Sequence, residues 1–310
     1  MSERPRVAIL GATGHVGKVL AAGLANTHAL TLYARRPDAA AAFALGAGLE
    51  VSVDSLAAAL GERDHDVLIN CIGVGDPHVV AANPDEVYRV TVLADDFARG
   101  YLAGRPVCRL INISSGAAYC SDFDVPACDD TPADLCAGHL RDDQHYGLAK
   151  LASEGRHRAN PDLAIIDLRL FSLFSRHIDP DAGFFMNGVM RSLRGGTPFA
   201  TGPSDHVRDY VAPLDLAALV SACVAYEPIN ASFDVFSGAP VGKFELLGAL
   251  AEKFGLRYEV DQSLEADGAT GAKPAYYSQS RAASALGYRP VSTSLETVIE
   301  ETTALLHNQR

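Results

Sequence analysis

The sequence predicts an α/β fold in which a doubly wound parallel sheet is followed by a smaller C-terminal lobe. Apolar runs of strand length alternate with helical segments through the first half of the chain, which is typical of a parallel sheet covered by helices on both faces. A glycine-rich turn joins the first predicted strand to the first predicted helix. After Phe171 the alternation ends, and helices, Gly/Pro turns and short strands follow in irregular order.

We therefore expect two interleaved parts. Residues 1–172 are predicted to form the sheet domain, with residues 211–238 returning to it, and residues 173–310 to form mainly a substrate-binding lobe. The 310 residues are 48% apolar and 21% charged, which suits a globular protein with a sizeable core.

The glycine turn follows the buried strand 6–10 and opens the helix that begins near Lys18. It consists of Gly11, Ala12, Thr13, Gly14, His15, Val16 and Gly17. Small residues let the backbone approach a pyrophosphate, and the free N–H groups of a helix N-terminus attract its charge. A purely structural turn is the alternative, because the chain has 27 glycines. The strand before the turn and the helix after it favour a Rossmann-type dinucleotide site.

The end of the second strand bears on the choice of dinucleotide. In this fold that strand end faces the adenosine ribose, where a carboxylate selects NAD over NADP. The sequence has Ala34, Arg35 and Arg36 there. Guanidinium groups bind phosphate through paired hydrogen bonds, so the sequence predicts NADP(H). The alternative is a pair of solvated arginines before a helix that starts with a proline.

Further strand ends supply candidate cofactor contacts. Asp54 follows the third predicted strand, where it either receives the adenine amine or caps a helix over 55–60. The fourth strand, 66–72, contains Cys71 and Ile72 and is closed by Gly73, a residue against which a cofactor can lie. Phe171 directly follows the sixth strand, 163–170, and joins this set.

Tyr146 and Lys150 are the candidate catalytic pair. They lie four residues apart on a predicted helix over 145–158 and so share one face. A lysine ammonium stabilises a neighbouring phenolate, which lets the tyrosine pass a proton to or from a carbonyl oxygen. Ser115, at the end of the fifth strand, is the natural donor to the same oxygen. Ordinary surface neighbours are the alternative interpretation of the pair.

Charge and cysteine usage exclude several classes of function. The net charge of −12 argues against a nucleic-acid surface or a basic membrane face. No apolar run reaches the length that spans a bilayer, and the N-terminus has no signal-peptide pattern, so we expect a cytoplasmic protein. The six cysteines form no CxxC pair, which favours free thiols over a metal site.

Four motifs in order, GATGHVG, NISSGAAY, YGLAK and RDYV, together with a late LGYRP, resemble the extended short-chain dehydrogenase/reductase family. The resemblance covers nearly the whole chain and is to the NAD-dependent epimerase/dehydratase type that acts on nucleotide sugars. It implies that Tyr146 is the acid/base and that Lys150 is its partner and holds the nicotinamide ribose. It further implies that Ser115, with Ser114 as the adjacent alternate, contacts the substrate.

The same resemblance implies that Arg208 grips the nucleotide diphosphate and that Asn187 lies near those phosphates. Relatives also dimerise through the helices that correspond to 84–104 and 145–158, so we expect a homodimer. Two departures from the family pattern matter. Thr91 stands where the family has a relay asparagine, and Gly116 and Ala117 replace the Asp-Glu pair of dehydratases, which argues against dehydration.

The leading hypothesis from the sequence is an NADPH-dependent reductase of a keto group on a nucleotide-linked deoxysugar. Reductases of this type consume NADPH, whereas its epimerases recycle a tightly held NAD, so the two arginines favour a reductase. The stretch from Phe171 to Arg176, followed by FFMN, also looks like sugar 4-ketoreductases. The alternatives are a nucleotide-sugar 4-epimerase and a reductase of a non-sugar ketone or aldehyde. A regulatory NADP sensor is a third class, which the intact Ser115, Tyr146 and Lys150 disfavour.

Overall fold

A computed structural model describes residues 4–56, 63–136, 138–141, 144–264 and 273–307. The strands are β1 (Arg6–Leu10), β2 (Ala29–Ala34), β3 (Ser52–Ser55), β4 (Val67–Asn70), β5 (Arg109–Ser115), β6 (Ile165–Leu170), β7 (Ser172–Leu173), β8 (Phe199–Thr201), β9 (Val207–Arg208), β10 (Tyr210–Val211), β11 (Asn230–Asp234), β12 (Val241–Gly242), β13 (Tyr258–Val260) and β14 (Ala275–Tyr276). The helices are α1 (His15–Leu24), α2 (Pro37–Gly46), α3 (Pro77–Ala82), α4 (Pro84–Ala103), α5 (Gln144–Arg158), α6 (Phe185–Gly195), α7 (Pro213–Ala225), α8 (Lys243–Phe254) and α9 (Ser294–His307). Short 3₁₀ turns cover Gly116–Tyr119 and Ala282–Leu286.

Seven strands form one parallel sheet in the order β11-β6-β5-β4-β1-β2-β3. The chain starts in the middle, winds outwards through β2 and β3, and then crosses to β4 on the other side of β1. A crevice opens at the carboxyl ends of the strands where this order reverses, which is the place where such sheets bind ligands. The predicted Rossmann-type sheet is confirmed.

Burial on both faces explains the unbroken apolar strands. Val7 to Leu10 of β1 are fully inaccessible to solvent, as is Leu68 of β4. One side of the sheet packs against α1 and α7, through Leu20 and Leu216 among others. The other side packs against α4 through Ala98 and Leu102. Each face therefore has its own apolar core, which rigidly positions the strand ends.

The C-terminal part contributes both to the sheet and to a separate lobe. β11 pairs with β6 at the edge of the main sheet, and Ala217 of α7 packs tightly on Gly23 of α1. The lobe has its own core, in which Phe174, Met190, Leu247 and Val298 from four segments meet. Its small sheet β12-β9-β14 contains Arg208 on β9, and Tyr276 on β14 contacts Ser115 at the end of β5.

Several element bounds differ from the sequence expectation. β4 ends at Asn70, two residues before the predicted end of the fourth strand at 72, and β6 begins at Ile165, two residues after the predicted start at 163. The apolar side chains of α4 divide between core and solvent, since Val87 and Ala94 are buried whereas Leu93 and Phe97 are exposed. Within the described part of the chain, no helix is both long and apolar enough to cross a bilayer.

Candidate active site

The glycine turn has the close backbone packing that a cofactor cradle requires. Gly11 has φ +78°, a left-handed conformation, and a Cβ there would lie 3.1 Å from the Cys71 backbone. A Cβ on Gly17 would lie 2.4 Å from the Gly11 carbonyl oxygen, so α1 approaches the turn only because this residue is glycine. Gly14 is the N-cap of α1, and the helix N-terminus, where Thr13, His15 and Val16 lie, opens at the crevice. The turn therefore fits a pyrophosphate.

His15 links this turn to the C-terminal lobe. Its Nε2 lies 2.7 Å from the Ser175 hydroxyl. Burial, followed by the nearby His177 and Lys18, lowers the pKa of His15 to about 4. The imidazole is therefore neutral at pH 7, and its role at the turn is to hold the lobe by a hydrogen bond, not to supply charge.

The end of β2 presents the two arginines of the sequence prediction at the surface. Ala34 is buried, and the side chains of Arg35 and Arg36 are exposed beyond it. Neither arginine forms an ion pair with any residue in the described ranges. Asp54 lies within β3, beside Tyr33 in register, where it accepts the Ser55 N–H and pairs with Arg63 at 3.6 Å. Most of the helix expected over 55–60 lies outside the described residues.

The residues that follow β4 form the next side of the crevice. The Cys71 N–H donates to the Leu10 carbonyl, and the Ile72 N–H donates to the Asn70 side chain. Burial raises the pKa of the Cys71 thiol to about 12, against the opposing effect of Lys150, so this thiol is not a nucleophile at neutral pH. A Cβ on Gly73 would lie 3.5 Å from the Lys150 Nζ. The strand end predicted to contact cofactor therefore adjoins the Lys150 ammonium.

Lys150 and Tyr146 lie together on α5, as their spacing predicts. The Lys150 Nζ donates to the Ile113 carbonyl at 2.9 Å and lies 5.8 Å from the centroid of the Tyr146 ring. Lys150 is buried, whereas Tyr146 is half-buried. A strand carbonyl thus fixes the ammonium between β4 and β5, beside the phenol.

Ser115 meets a residue that the sequence analysis did not select. The Ser115 and Tyr276 hydroxyls lie 3.3 Å apart, and the Ser115 Oγ also accepts the Ala117 N–H at 3.2 Å. Burial raises the pKa of Tyr276 well above its usual range, and Tyr146 and Arg208 both act on it electrostatically. Tyr276 therefore lies close enough to interact with both Ser115 and Tyr146. The sequence offers no signal that separates Tyr276 from Tyr277 beside it.

Arg208 approaches this group from the lobe. Its guanidinium lies 5.9 Å from the centroid of the Tyr276 ring, and it donates to the Lys273 carbonyl at 2.8 Å. Burial lowers the pKa of Arg208 to about 10, so it remains a cation at neutral pH. A buried cation next to Tyr276 suits an anionic part of a ligand.

The other predicted residues are distributed around this group. Phe171 is buried against Gly116, where a Cβ would lie 2.3 Å from its ring. Ser114 donates to Glu154 at 2.5 Å, and because it precedes Ser115 in the strand it occupies the opposite face of the sheet. The structure therefore does not bring Ser114 to the site. Asn187, on α6, donates to the Asp179 carbonyl, away from the Ser115 group.

Comparison with known proteins agrees with this geometry. Residues 7–232 match the model of the NAD dependent epimerase/dehydratase family. No curated protein sequence matches the chain.

Solved structures of similar fold include several 4-epimerases. The UDP-N-acetylglucosamine 4-epimerase from Methanobrevibacter ruminantium M1 has a TM-score of 0.80 and 14% identity, with all of both chains covered. The UDP-glucose 4-epimerase from Bifidobacterium longum has a TM-score of 0.79 and 17% identity, with 98% of each chain covered. The UDP-glucuronic acid 4-epimerase from Bacillus cereus has a TM-score of 0.78 and 14% identity, covering 98% of this chain and 99% of that one.

The family model spans well over half of the chain, and the sheet order, the glycine turn and the Tyr146–Lys150 pair fit it. The chain belongs to the NAD dependent epimerase/dehydratase family and is an enzyme of the extended short-chain dehydrogenase/reductase type.

Proposed function

We propose that this enzyme is a nucleotide-sugar 4-epimerase, which inverts a hydroxyl-bearing carbon of the sugar by reversible oxidation. The observation that carries the proposal is the placement of the Lys150 ammonium, which lies beside the Tyr146 ring and Gly73 and donates to the Ile113 carbonyl of β5, the strand that ends at Ser115. The similar structures support it, because those named above are 4-epimerases of UDP-sugars. The reductase, which was the leading hypothesis from the sequence, therefore becomes the second candidate.

The residues present fit a nicotinamide dinucleotide. The glycine turn 11–17 would hold its pyrophosphate, Arg35 and Arg36 a 2′-phosphate, and Lys150 and the β4 end its nicotinamide half. When bound, the dinucleotide supplies the hydride acceptor and donor. We propose NADP(H) because Arg35 and Arg36 are exposed beside the buried Ala34, and in this choice of dinucleotide the enzyme would differ from the epimerases that recycle a tightly held NAD.

The side chains of the protein then transfer the proton and bind the substrate. Tyr146 takes the proton from the sugar hydroxyl and returns it, while the Lys150 ammonium stabilises the phenolate formed in between. Ser115 donates a hydrogen bond to the same sugar oxygen, and Tyr276 orients the Ser115 hydroxyl. Arg208 binds the diphosphate as a buried cation.

Sugar dehydration finds no support. The Phe171 ring fills the space into which a side chain at Gly116 would project, so the carboxylate that dehydratases carry there has no room. The hydroxyl of Thr91 donates to the Val87 carbonyl of its own helix at 2.9 Å, so it is not directed towards a relay with Tyr146.

A panel of UDP- and dTDP-sugars, incubated without added reductant and followed by NMR, tests the proposal. Epimerisation predicts interconversion of two sugars that differ at one carbon, with no net consumption of dinucleotide. The second candidate, the NADPH-dependent reductase, is favoured by Arg35 and Arg36 and predicts stoichiometric NADPH loss with a 4-keto sugar nucleotide. If both assays fail and simple ketones or aldehydes are reduced, the sugar assignment is wrong.

We also propose a homodimer formed through α4 and α5. Exposed Leu93 and Phe97 support this, because they are neighbours four residues apart on one face of α4, and adjoining exposed apolar side chains are typical of an interaction surface. Light scattering at micromolar concentration decides between a dimer and a monomer.

We also propose that the chain divides into a cofactor-binding part, 1–172 with 211–238, and a substrate lobe that is formed mainly by 173–310.

A further inference from the structure

A row of polar side chains crosses the main sheet shortly before the strands end at the crevice. This polar row consists of Asn70 of β4, Asn112 of β5 and Asp167 of β6, which lie in register with one another and are all buried. The row two residues earlier, on the same three strands and the same face, is entirely apolar: Leu68, Leu110 and Ile165. Burying amides and a carboxylate costs free energy that apolar side chains would not cost, so filling the core does not explain the polar row.

The hydrogen bonds along the polar row all run in one direction. The Asp167 carboxylate can only accept, so the Asn112 Nδ2 donates to it, at 2.7 Å. The Asn112 Oδ1 then accepts from the Asn70 Nδ2 at 3.0 Å. The Asn70 Oδ1 remains as an acceptor, and the Ile72 N–H donates to it at 3.1 Å. The carboxylate therefore sets both amide orientations and, through them, the direction of one backbone N–H.

Asp167 is a firm anchor for this arrangement. The His157 Nδ1 lies 2.9 Å from its Oδ1, and Arg158 donates to its Oδ2 at 2.9 Å. His157 is itself held by Asp95 of α4, at 2.6 Å. Because these partners belong to α4 and α5, the position of the carboxylate does not depend on the two asparagines.

The far end of the polar row lies between the glycine turn and Lys150. The Cys71–Ile72 peptide is trans, so the hydrogen bond that fixes the Ile72 N–H turns the Cys71 carbonyl to the opposite side. That carbonyl lies against Gly11, where a Cβ would be 3.1 Å from both its carbon and its oxygen. On the other side, a Cβ on Gly73 would lie 3.5 Å from the Lys150 Nζ. The row thus orients the short backbone segment on which both contacts depend.

We propose that Asn70 and Asn112 are positioning residues, which hold the backbone of 71–73 so that the nicotinamide half of a dinucleotide lies against Gly73 and beside Lys150. The inference rests on the proposed dinucleotide site, and it holds for an epimerase and for a reductase alike. The adenosine half is bound elsewhere in that proposal, by the glycine turn and the end of β2. Loss of the polar row therefore weakens binding of one half of the dinucleotide selectively.

Calorimetric titration of the full-length protein with NADPH and with adenosine 2′,5′-bisphosphate, the adenosine half of NADPH, tests the inference. Asn70→Leu keeps the branching of the side chain and removes its hydrogen bonds. We expect it to weaken NADPH binding about tenfold and binding of the bisphosphate by less than about twofold. Ser114→Ala is the matched control, because it removes a buried hydrogen bond from the same face of β5 outside the polar row. It should leave the ratio of the two dissociation constants unchanged.

The double variant Asn70→Leu/Asn112→Leu keeps the test valid if the single variants fold poorly. A single substitution leaves the other amide unpaired, whereas replacing both partners by apolar groups is nearly neutral for stability. The double variant should therefore be more stable to urea than either single variant and still bind NADPH about tenfold more weakly than the wild type. Equal weakening of both ligands, or wild-type affinity for NADPH in the double variant, would overturn the inference.

Amide hydrogen exchange at Ile72 provides a measurement that needs no dinucleotide. Asn112→Leu should make this amide exchange about tenfold faster, although Asn112 bonds to Asn70 and not to Ile72. Unchanged exchange would show that the row does not fix the backbone and would overturn the inference even if NADPH binds. Absence of NADPH binding by the wild type would instead overturn the proposed dinucleotide site, and the positioning role with it.

Discussion

The hydroxyl of Tyr276 lies 3.3 Å from the hydroxyl of Ser115, and the two residues are 161 positions apart in the chain. The contact joins the end of β5 to β14 of the C-terminal lobe. The Ser115 hydroxyl, proposed to bind the substrate oxygen, and the Tyr276 hydroxyl that orients it therefore come from different parts of the molecule. The neighbouring backbone reinforces it, since the Ala275 N–H donates to the Phe123 carbonyl at 2.9 Å.

This contact predicts energetic coupling between the two hydroxyls. Tyr276→Phe should lower kcat about tenfold, because the Ser115 hydroxyl loses the partner that orients it. In a Ser115→Ala background the same change should have little further effect, and a double-mutant cycle measures the difference. Independent, additive effects would show that Tyr276 acts by packing alone.

Tyr146→Phe tests the proton-transfer role directly. The change removes the hydroxyl and keeps the ring, so kcat should fall by about 10²- to 10⁴-fold while dinucleotide affinity stays near the wild-type value. Ser115→Ala should be milder, because it removes a donor and not the proton source. Lys150→Met should impair both kcat and dinucleotide binding. Tyr277→Phe is the matched control, and wild-type turnover by Tyr146→Phe would rule out the mechanism.

Gly147 predicts a strict size limit next to Tyr146. A Cβ at this position would lie 2.1 Å from the Ala117 carbonyl oxygen, a backbone atom that cannot move aside without shifting the turn after β5. Gly147→Ala should destabilise the fold by about 1–3 kcal/mol and lower kcat by displacing Tyr146.

Gly155→Ala is the control for that change on the same helix. Nothing lies within 4 Å of a Cβ there, so this substitution should leave kcat unchanged and stabilise by up to about 1 kcal/mol through helix propensity. Urea unfolding and steady-state kinetics measure both variants. Equal unfolding free energies for Gly147→Ala and Gly155→Ala would show that the turn at Ala117 shifts at little energetic cost.

Arg35 and Arg36 predict a preference for NADPH over NADH. The expected difference is about 1–3 kcal/mol, the contribution of charge-assisted hydrogen bonds to a phosphate. Arg35→Ala or Arg36→Ala should shrink this difference and reduce its salt dependence, whereas Arg89→Ala on α4 should not. Fluorescence titration gives the dissociation constants of both dinucleotides for the wild type and for each variant. Equal affinity of the wild type for both dinucleotides would contradict the prediction.

His157 predicts a specific pH dependence of stability. The fully buried imidazole bridges Asp95 and Asp167, at 2.6 and 2.9 Å. Burial favours the neutral form, but the hydrogen bonds to the two carboxylates outweigh it and raise the pKa of His157 to about 9. Because this folded pKa exceeds the unfolded value near 6.5, the contribution is complete below about pH 6.5 and is lost as the pH rises through about 9.

The loss amounts to about 1–3 kcal/mol of unfolding free energy. Urea unfolding at about pH 6 and about pH 9.5 measures it. His157→Gln should remove this part of the pH dependence, whereas the exposed His307→Gln should retain it. An identical pH profile for His157→Gln and the wild type would show that another group is responsible.

The sequence by itself determined the features that rest on local pattern. Continuous apolar runs define the buried strands, and the glycine turn is readable because Gly11 and Gly17 allow backbone contacts that no other residue permits. Tyr146 and Lys150 share a face because four residues make about one helical turn. Each of these signals lies within a few residues of the chain.

Only the tertiary structure decided which distant side chains meet. Tyr276 reaches Ser115 from the other lobe, and no local pattern distinguishes it from Tyr277. The two serines of NISS are equivalent in sequence, but the alternation of side chains along a strand sends Ser114 to Glu154 and leaves Ser115 at the site. The orientation of a side chain depends on what packs against its strand or helix, and that information is spread over the whole chain.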